Sequence, residues 1–379
     1  MKLQGNPKGR LTGKPRWSRR RFLQYSGLGL SGMALTSCGW RLGDTRANAK
    51  VTQGDPRQLY IYTWSGYIDD ELLASFQSET GRTNTIQVVF PSNEVMLASF
   101  QAGKANTYSI IYPSSYVVQK MVKKDYLIEL DHSRIPNLDN LFPQFRQSPS
   151  DPNNRYSVPV VWGTTGLIYN PAKVPEPPQD WDFLWKYKDK LTRRMSLLED
   201  AREVMGATLK MMGDSYNPTD LEKIRQAYEK LESLKPAITN FSTDAWRDPL
   251  VAGDLWVAMA YSSDAAAIVQ QNPKLRYVIP QGGTSLWSDN LVIPKQAPNP
   301  DAAYEWITFT LQPTVAAGLV QRLSVATPNR AAIELLSPEL RDNPLLFPPQ
   351  SVLDRCETIA PLTPELTELV ERYWTKLIS

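Results

Sequence analysis

The sequence predicts an α/β fold arranged as two lobes, and three observations support this prediction. After residue 57, short β-rich segments alternate with longer helical ones, a pattern typical of α/β proteins with largely parallel sheets. This part of the chain has on the order of 300 residues, which is too long for one hydrophobic core and favours two lobes. Aromatic and acidic residues also recur in the turns that follow predicted strands, where open α/β sheets bind ligands.

Composition and periodicity place the elements in order along the chain. Short runs rich in β-branched and aromatic residues predict strands at 59–63, 85–90, 109–112, 156–162, 165–169, 195–198, 256–261, 275–279 and 290–293. Longer runs with apolar residues three and four apart predict helices at 70–80, 94–102, 115–123, 201–212, 220–234, 245–252, 264–270, 300–311, 313–323 and 364–376. The Pro-rich stretch 170–181 predicts a loop that starts the second lobe.

The N-terminal region, residues 1–38, predicts an export signal. Ser18 to Leu23 spell S-R-R-R-F-L, which resembles the twin-arginine motif, and a short apolar run follows at 27–35. Leu35-Thr36-Ser37-Cys38 resembles a bacterial lipobox, so we expect Cys38 to carry a lipid that anchors the protein to a membrane in the periplasm. The alternative is an unmodified thiol in a peptide that is removed. Residues 39–56 are polar and predict a flexible tether.

The composition excludes several classes of function. If Cys38 is lipidated, Cys356 is the remaining cysteine and no internal disulfide forms. His132 is the one histidine, which excludes the usual zinc sites and leaves a histidine-based catalytic group resting on a residue expected in a surface turn. The formal net charge of +3 comes partly from the basic residues 2–21, so the rest of the chain is near neutral or acidic. This balance argues against nucleic acid as a partner. No phosphate-binding Gly motif is present, and we expect no metal and no cofactor.

Five strand-to-helix junctions carry the candidate site. Acidic side chains with aromatic rings, and almost no basic residues, suit a cation, because carboxylates pair with a buried ammonium and ring faces attract it. A metal would leave the bulky rings without a role. Asp200 and Glu203 share a helical face, and either favourable interaction with the helix dipole or ligand binding explains them. The junctions contribute Trp64, Ser65, Tyr67; Ser114, Tyr116; Asp200, Glu203; Tyr261, Asp264; and Trp287, Asp289.

These residues lie in stretches that resemble the spermidine/putrescine-binding proteins, the substrate receptors of bacterial polyamine ABC importers. The resemblance extends over about residues 59–377 and includes NEVMLASFQAG, YSIIYPSSYVVQKM, YSVPVVWGTTGLIYN, LLEDAREVMGATLKMMG, WSDNLVIPK and ATPNRAA. It implies a type II periplasmic-binding-protein fold, with two α/β lobes joined by crossover strands and a ligand cleft between them. We expect lobe 1 at 57–161 plus 288–335, lobe 2 at 162–287, and a C-terminal helical segment, 336–379, packing across the lobes.

The resemblance also implies which residues bind the ligand. Asp200 and Glu203 match a D-x-x-E pattern that grips amino groups, and Trp287 with Asp289 match W-x-D. By the same resemblance, ligand-binding roles are expected for Trp64, Ser65, Tyr67, Ser114, Tyr116 and Tyr261.

Three departures leave the choice between putrescine and spermidine open. Gly66 stands where the family has an acidic residue, Val325 stands where it has a Tyr, and a late Gln near residues 354–362 is absent.

The function expected on these grounds is a receptor that performs no chemistry and delivers a polyamine to a membrane permease. The alternatives are a receptor for a different small cationic amine and a ligand-sensing lipoprotein. A secreted hydrolase, with Asp200 and Glu203 as acid and base, is disfavoured because His132 is the one possible histidine base.

Overall fold

The computed structural model describes residues 58–82, 84–104 and 106–379. The predicted export signal, the predicted tether and Cys38 lie outside the described residues. Within the described ranges, every helix falls short of the length and apolarity that crossing a bilayer requires.

The described residues contain a nine-stranded sheet in the order β2-β1-β3-β9-β4-β7-β5-β6, with β8 also paired to β4. The strands are β1 Gln58–Thr63, β2 Asn84–Val89, β3 Ile110–Ile111, β4 Ser157–Tyr169, β5 Met195–Leu197, β6 Ile238–Phe241, β7 Val257–Tyr261, β8 Arg276–Val278 and β9 Leu286–Val292.

Helices follow most strands, as the alternating pattern predicts. The α-helices are α1 Asp70–Thr80, α2 Asn93–Ser99, α3 Ser115–Lys123, α4 Pro143–Arg146, α5 Phe183–Lys186, α6 Ala201–Met211, α7 Leu221–Leu234, α8 Arg247–Ala252, α9 Ser262–Gln271, α10 Pro300–Thr310, α11 Pro313–Leu323, α12 Arg330–Ile333, α13 Pro338–Arg341, α14 Gln350–Leu353 and α15 Pro364–Ile378. A π-helical turn, Phe100–Lys104, continues α2, and 3₁₀ turns occur at His132–Arg134, Leu138–Asn140, Pro152–Asn154 and Lys235–Ala237.

The sheet is mixed, so the prediction of a largely parallel sheet is wrong. β1 pairs in parallel with β2 and β3, and β5 pairs in parallel with β6 and β7. In contrast, β4 is antiparallel to β7, β8 and β9, and β3 is antiparallel to β9. The sheet is mixed because the long strands β4 and β9 lie between the two parallel groups and pair with their neighbours in antiparallel orientation.

The long strand β4 joins the two parts of the sheet. Its residues 157–164 pair with β9, and its residues 165–169 pair with β7. The sequence predicts two strands here, whereas the structure has one buried strand of 13 residues. Two further corrections concern β6, which the sequence analysis missed, and β9, which begins at Leu286 so that Trp287 and Asp289 lie inside the strand.

Separate apolar clusters pack on the two parts of the sheet. Phe76 of α1 packs edge-on against Trp306 of α10, with ring centroids 4.8 Å apart. On the other part, the C-terminal helix α15 stacks Tyr373 on Tyr228 of α7, with centroids 4.3 Å apart. The lobe boundaries given above remain predictions.

The stretch between α12 and α15 packs against β4 and α11, in a different apolar cluster from that of α15. Leu336 and Leu346 belong to an apolar cluster with Trp162 of β4 and Ala316 of α11. The C-terminal segment therefore contacts elements from distant parts of the chain.

Candidate functional site

One cavity of about 400 Å³ brings the candidate residues together. It is lined by every residue to which the sequence analysis assigned ligand binding: Trp64, Ser65, Tyr67, Ser114, Tyr116, Asp200, Glu203, Tyr261, Trp287 and Asp289. The junctions that are far apart in sequence therefore meet at one place, as the α/β pattern predicts.

The loop after β1 forms one wall of the cavity. The indole Nε1 of Trp64 donates a 2.8 Å hydrogen bond to the carbonyl of Tyr112. The indole ring packs edge-on against the ring of Phe90, with ring centroids 4.5 Å apart. Gly66 has a φ of +79°, in the left-handed region that favours glycine, so it allows the chain to turn between Ser65 and Tyr67. The turn places both Trp64 and Tyr67 at the cavity.

Asp289 is a buried carboxylate that receives two side-chain hydrogen bonds. Tyr67 donates to Oδ2 at 2.5 Å, and Ser114 donates to Oδ1 at 2.6 Å. Asn93 in turn donates to the Ser114 hydroxyl at 3.0 Å. Burial raises the pKa of Asp289 to about 6, although these hydrogen bonds to the carboxylate oppose the shift.

Asp200 caps helix α6 and also lines the cavity, so its role as a cap is observed and its role in ligand binding stays a prediction. Its Oδ1 accepts from the backbone N–H of Arg202 at 2.9 Å and from that of Glu203 at 3.0 Å. Burial raises the pKa of Asp200 above its ordinary value, and the nearby Glu94 carboxylate raises it further.

Glu203 is the second carboxylate at this end of α6. The hydroxyl of Ser285 lies 2.9 Å from Oε1 and 2.8 Å from Oε2. Burial and the Asp200 carboxylate both raise the pKa of Glu203, while its hydrogen bonds with Ser285 and Thr165 oppose the shift. Two buried carboxylates so close together repel each other unless a proton or a cation is shared, so this pair is suited to hold a cation.

The buried Arg202 connects this pair to the C-terminal segment. Its Nη1 donates to the carbonyl of Ala360 at 2.8 Å, and its Nη2 donates to Oδ1 of Asn217 at 3.3 Å. The guanidinium carbon lies 5.8 Å from the ring centroid of Tyr116. Arg202 thus fixes the segment next to Thr358 and Ile359, which line the cavity.

Tyr261 and Trp287 form an aromatic corner, with ring planes at 75° and centroids 5.4 Å apart. The indole packs over Gly163 of β4, where a Cβ atom would lie 2.4 Å from Cζ2 of Trp287. Only a glycine leaves room for the ring there. The indole Nε1 of Trp287 is buried and has no hydrogen-bond partner among the described residues.

The cavity also includes residues that the sequence analysis did not assign to the site. Asp264 was noted beside Tyr261 but received no role, and Arg247 was missed because it lies on a separate helix with no motif. Thr358 and Ile359 come from the C-terminal segment, and their position depends on a bridge between Ser285 and Glu357 that the sequence does not reveal. The lining is completed by Phe90, Pro91, Gln144, Phe145, Gln147, Ser148, Pro149, Ser150, Ser115, Thr243, Asp244, Ser263, Leu286 and Ser288.

Val325 and His132 both lie outside the cavity lining. Val325 is buried in the apolar core and is not part of the cavity lining. His132 is exposed in a 3₁₀ turn, as expected for a surface residue. In the described part of the chain, no group of three or more His, Cys, Asp and Glu side chains is arranged to hold a metal ion.

Comparisons with known proteins identify the family of this chain. Residues 71–348 match the family model for bacterial extracellular solute-binding proteins. The spermidine/putrescine-binding periplasmic protein of Salmonella typhimurium is 35% identical over 339 residues, covering 89% of this chain and 94% of that protein. The putrescine/cadaverine-binding protein of Pseudomonas aeruginosa is 31% identical, covering 84% of this chain and 93% of that protein.

A solved structure shares the fold. The spermidine/putrescine ABC transporter substrate-binding protein PotD from Streptococcus pneumoniae matches with a TM-score of 0.73 and 34% identity, covering 84% of this chain and 98% of that one. The predicted type II periplasmic-binding-protein fold, with two α/β lobes and a ligand cleft, is confirmed. The chain therefore belongs to the bacterial extracellular solute-binding proteins and, within them, to the spermidine/putrescine-binding group.

Proposed function

We propose that this protein is an extracytoplasmic polyamine receptor that delivers putrescine or spermidine to the permease of an ABC importer. The observation that carries the proposal is the convergence of Asp200, Glu203 and Asp289 on one aromatic-walled cavity. The names of the relatives from Salmonella typhimurium and Pseudomonas aeruginosa support it.

The arrangement can bind a linear polyamine through its charges and its methylene chain. One ammonium group is held by Asp200 and Glu203, and another by Asp289. The rings of Trp64, Tyr261 and Trp287 cover the carbon chain, and a ring face that lies against an ammonium group contributes about 0.5–2 kcal/mol through cation–π attraction. Binding requires no bond to form or break, and its mechanism is closure of two lobes around the ligand.

Asp264 adds a carboxylate to this site. Its side chain lines the cavity, and burial raises its pKa to about 6, although Arg247 opposes the shift. Gly66 supplies no carboxylate in the loop after β1. The additional carboxylate of this cavity is therefore Asp264, and it is paired with Arg247 at 2.9 Å.

Isothermal titration calorimetry of Asp200→Asn and Glu203→Gln tests the function. Each variant should lose about 2–4 kcal/mol of binding free energy for putrescine, because a buried ammonium loses its charged partner. Asp220→Asn is the matched control: Asp220 also caps a helix, α7, by accepting from the N–H of Glu222, but it is exposed and outside the cavity. Equal affinity in the wild type, Asp200→Asn and Glu203→Gln would refute the proposal.

We also propose export by the twin-arginine route and attachment to the membrane through a lipid on Cys38, which places the receptor in the periplasm. The motifs at residues 18–23 and 35–38 support this location. Mass spectrometry of the membrane fraction tests it: an N-terminal peptide beginning at a lipidated Cys38 is expected. The same peptide without lipid, or a Cys38→Ala variant that stays on the membrane, would contradict the anchor.

A receptor for a different cationic amine is the second candidate. Gly66 favours it, because the loop after β1 supplies no carboxylate where the resembling polyamine-binding family has one. Thermal-shift screening of putrescine, spermidine, amino acids and quaternary amines decides between the two. A ligand-sensing lipoprotein is separated from a transport receptor by uptake of labelled polyamine in cells that lack the protein.

A further inference from the structure

Arg247 bridges two carboxylates in the wall of the cavity. Its Nη2 lies 2.7 Å from Oδ1 of Asp244 and 2.9 Å from Oδ1 of Asp264. All three residues line the cavity. A protein cation therefore already occupies one of the carboxylates that face the proposed ligand.

Of the two carboxylates that pair with Arg247, Asp264 is the more buried and therefore depends more on its cationic partner. Its side chain is 21% exposed, compared with 52% for Asp244 and 31% for Arg247. A carboxylate withdrawn from water in this way is stable as an anion only with a cationic partner, and Arg247 is that partner here.

The guanidinium of Arg247 makes both of its ion pairs through one nitrogen. Both ion pairs use Nη2, whereas Nε is buried and has no hydrogen-bond partner among the described residues. A guanidinium with its full set of donors paired is costly to displace, and Arg247 lacks that set. Even so, a ligand ammonium would reach Asp264 only by breaking its ion pair with Nη2.

Asp264 lines the same cavity as Asp289, the proposed ammonium site. Tyr67 lines the cavity as well, and its hydroxyl donates to Asp289 at 2.5 Å. A polyamine held at Asp289 and continuing past Tyr67 would bring its next ammonium toward Asp264.

We propose that Arg247 determines ligand length: its guanidinium takes the place of an additional ligand ammonium at Asp264, so that short diamines are favoured over longer polyamines. This inference rests on the proposed function. A diamine leaves the Arg247–Asp264 pair intact, whereas a triamine must displace Arg247 or leave one ammonium unpaired.

Calorimetric titration with putrescine, cadaverine and spermidine tests the proposal in the wild type and in Arg247→Met. The variant should bind spermidine about tenfold more tightly, while its affinity for putrescine changes less than about twofold. Arg247→Lys keeps a cation beside Asp264 and should show no gain. If Arg247→Met does not fold, as judged by circular dichroism, Arg247→Gln replaces it with the same expectation.

The double variant Arg247→Met, Asp264→Asn assigns the gain to Asp264, because it should lose the gain for spermidine. Arg322→Met is the matched control: Arg322 also bridges two carboxylates, Asp69 and Glu71, with a side chain 28% exposed, but outside the cavity lining. It should not alter the preference between amines. An equal change for all three amines in Arg247→Met, or a gain that survives Asp264→Asn, would overturn the proposal. If the wild type binds none of the amines, it is the proposed function that fails.

Discussion

The hydroxyl of Tyr67 donates a 2.5 Å hydrogen bond to Oδ2 of Asp289, joining residues 222 positions apart in the chain. Ser114 donates to the other oxygen of the same carboxylate at 2.6 Å. The loop after β1, the start of α3 and the middle of β9 therefore meet at one buried anion. Both hydrogen bonds favour the charged form of Asp289, which is the form that pairs with an ammonium group.

Removing the Tyr67 hydroxyl should weaken binding most at low pH. In Tyr67→Phe the ring wall remains, but Asp289 loses a hydrogen bond to its charged form and its pKa rises above about 6. We expect about a tenfold loss of putrescine affinity near pH 6 and a smaller loss near pH 8. Calorimetry at both pH values measures this. Tyr228→Phe, which removes an exposed tyrosine hydroxyl that donates to Glu232, should leave affinity unchanged.

The stability of the ligand-free protein should fall as the pH rises through the range in which Asp200 and Glu203 ionise. Their pKa values are raised in the folded protein, so the folded state binds more protons than the unfolded chain, and stability decreases from about pH 4 to about pH 8. A bound polyamine neutralises the pair, so the increase in melting temperature on adding putrescine should grow over the same range. Glu203→Gln should flatten both curves in differential scanning fluorimetry. An increase that shrinks with rising pH would contradict the assignment.

Filling the space at Gly163 should displace the indole of Trp287. A Cβ atom there would lie 2.4 Å from Trp287 Cζ2 and 2.5 Å from the Ser262 hydroxyl. Gly163→Ala should cost about 1–3 kcal/mol of unfolding free energy and should reduce polyamine affinity as well. Chemical denaturation and calorimetry measure the two effects. Gly318→Ala is the control, because it lies in α11 and meets only the movable end of Arg322, so it should be neutral or stabilising.

Adding a carboxylate at Gly66 should strengthen the binding of longer polyamines. No atom lies within 4 Å of a Cβ placed there, although the φ of +79° strains any other residue by roughly 1 kcal/mol. Asp and Asn tolerate this conformation best, so Gly66→Asp and Gly66→Asn form a matched pair that differs in charge. Spermidine should bind Gly66→Asp more tightly than Gly66→Asn. Equal affinities would mean that this loop does not face the ligand's charges.

The sequence predicts much of the site because its residues stand at strand ends in short, recognisable motifs. Trp64 and Asp200 each follow a strand that the local pattern reveals, Trp287 is marked by its W-x-D motif although it lies inside β9, and the structure brings all three to the cavity. Motifs of this kind are local, so a single sequence is sufficient to find them. Their meeting at one cavity follows from the order of the strands.

The parts that the sequence did not predict depend on contacts between distant segments. Arg247 and Asp264 belong to separate helices, and their ion pair exists only in the folded chain. Strand β4 reads as two strands because Gly163 and Thr164 interrupt its apolar run, yet pairing with β9 keeps the backbone extended. Residues 358 and 359 reach the cavity because residue 357 bridges to Ser285.

A crystal structure of the protein grown with spermidine tests the central claim most directly. We predict density for the polyamine in the cavity, with one ammonium within hydrogen-bond distance of Asp200 or Glu203, another at Asp289, and the carbon chain against Trp287. Spermidine bound elsewhere on the protein, or in the cavity with its ammonium groups turned away from these carboxylates, would contradict the account.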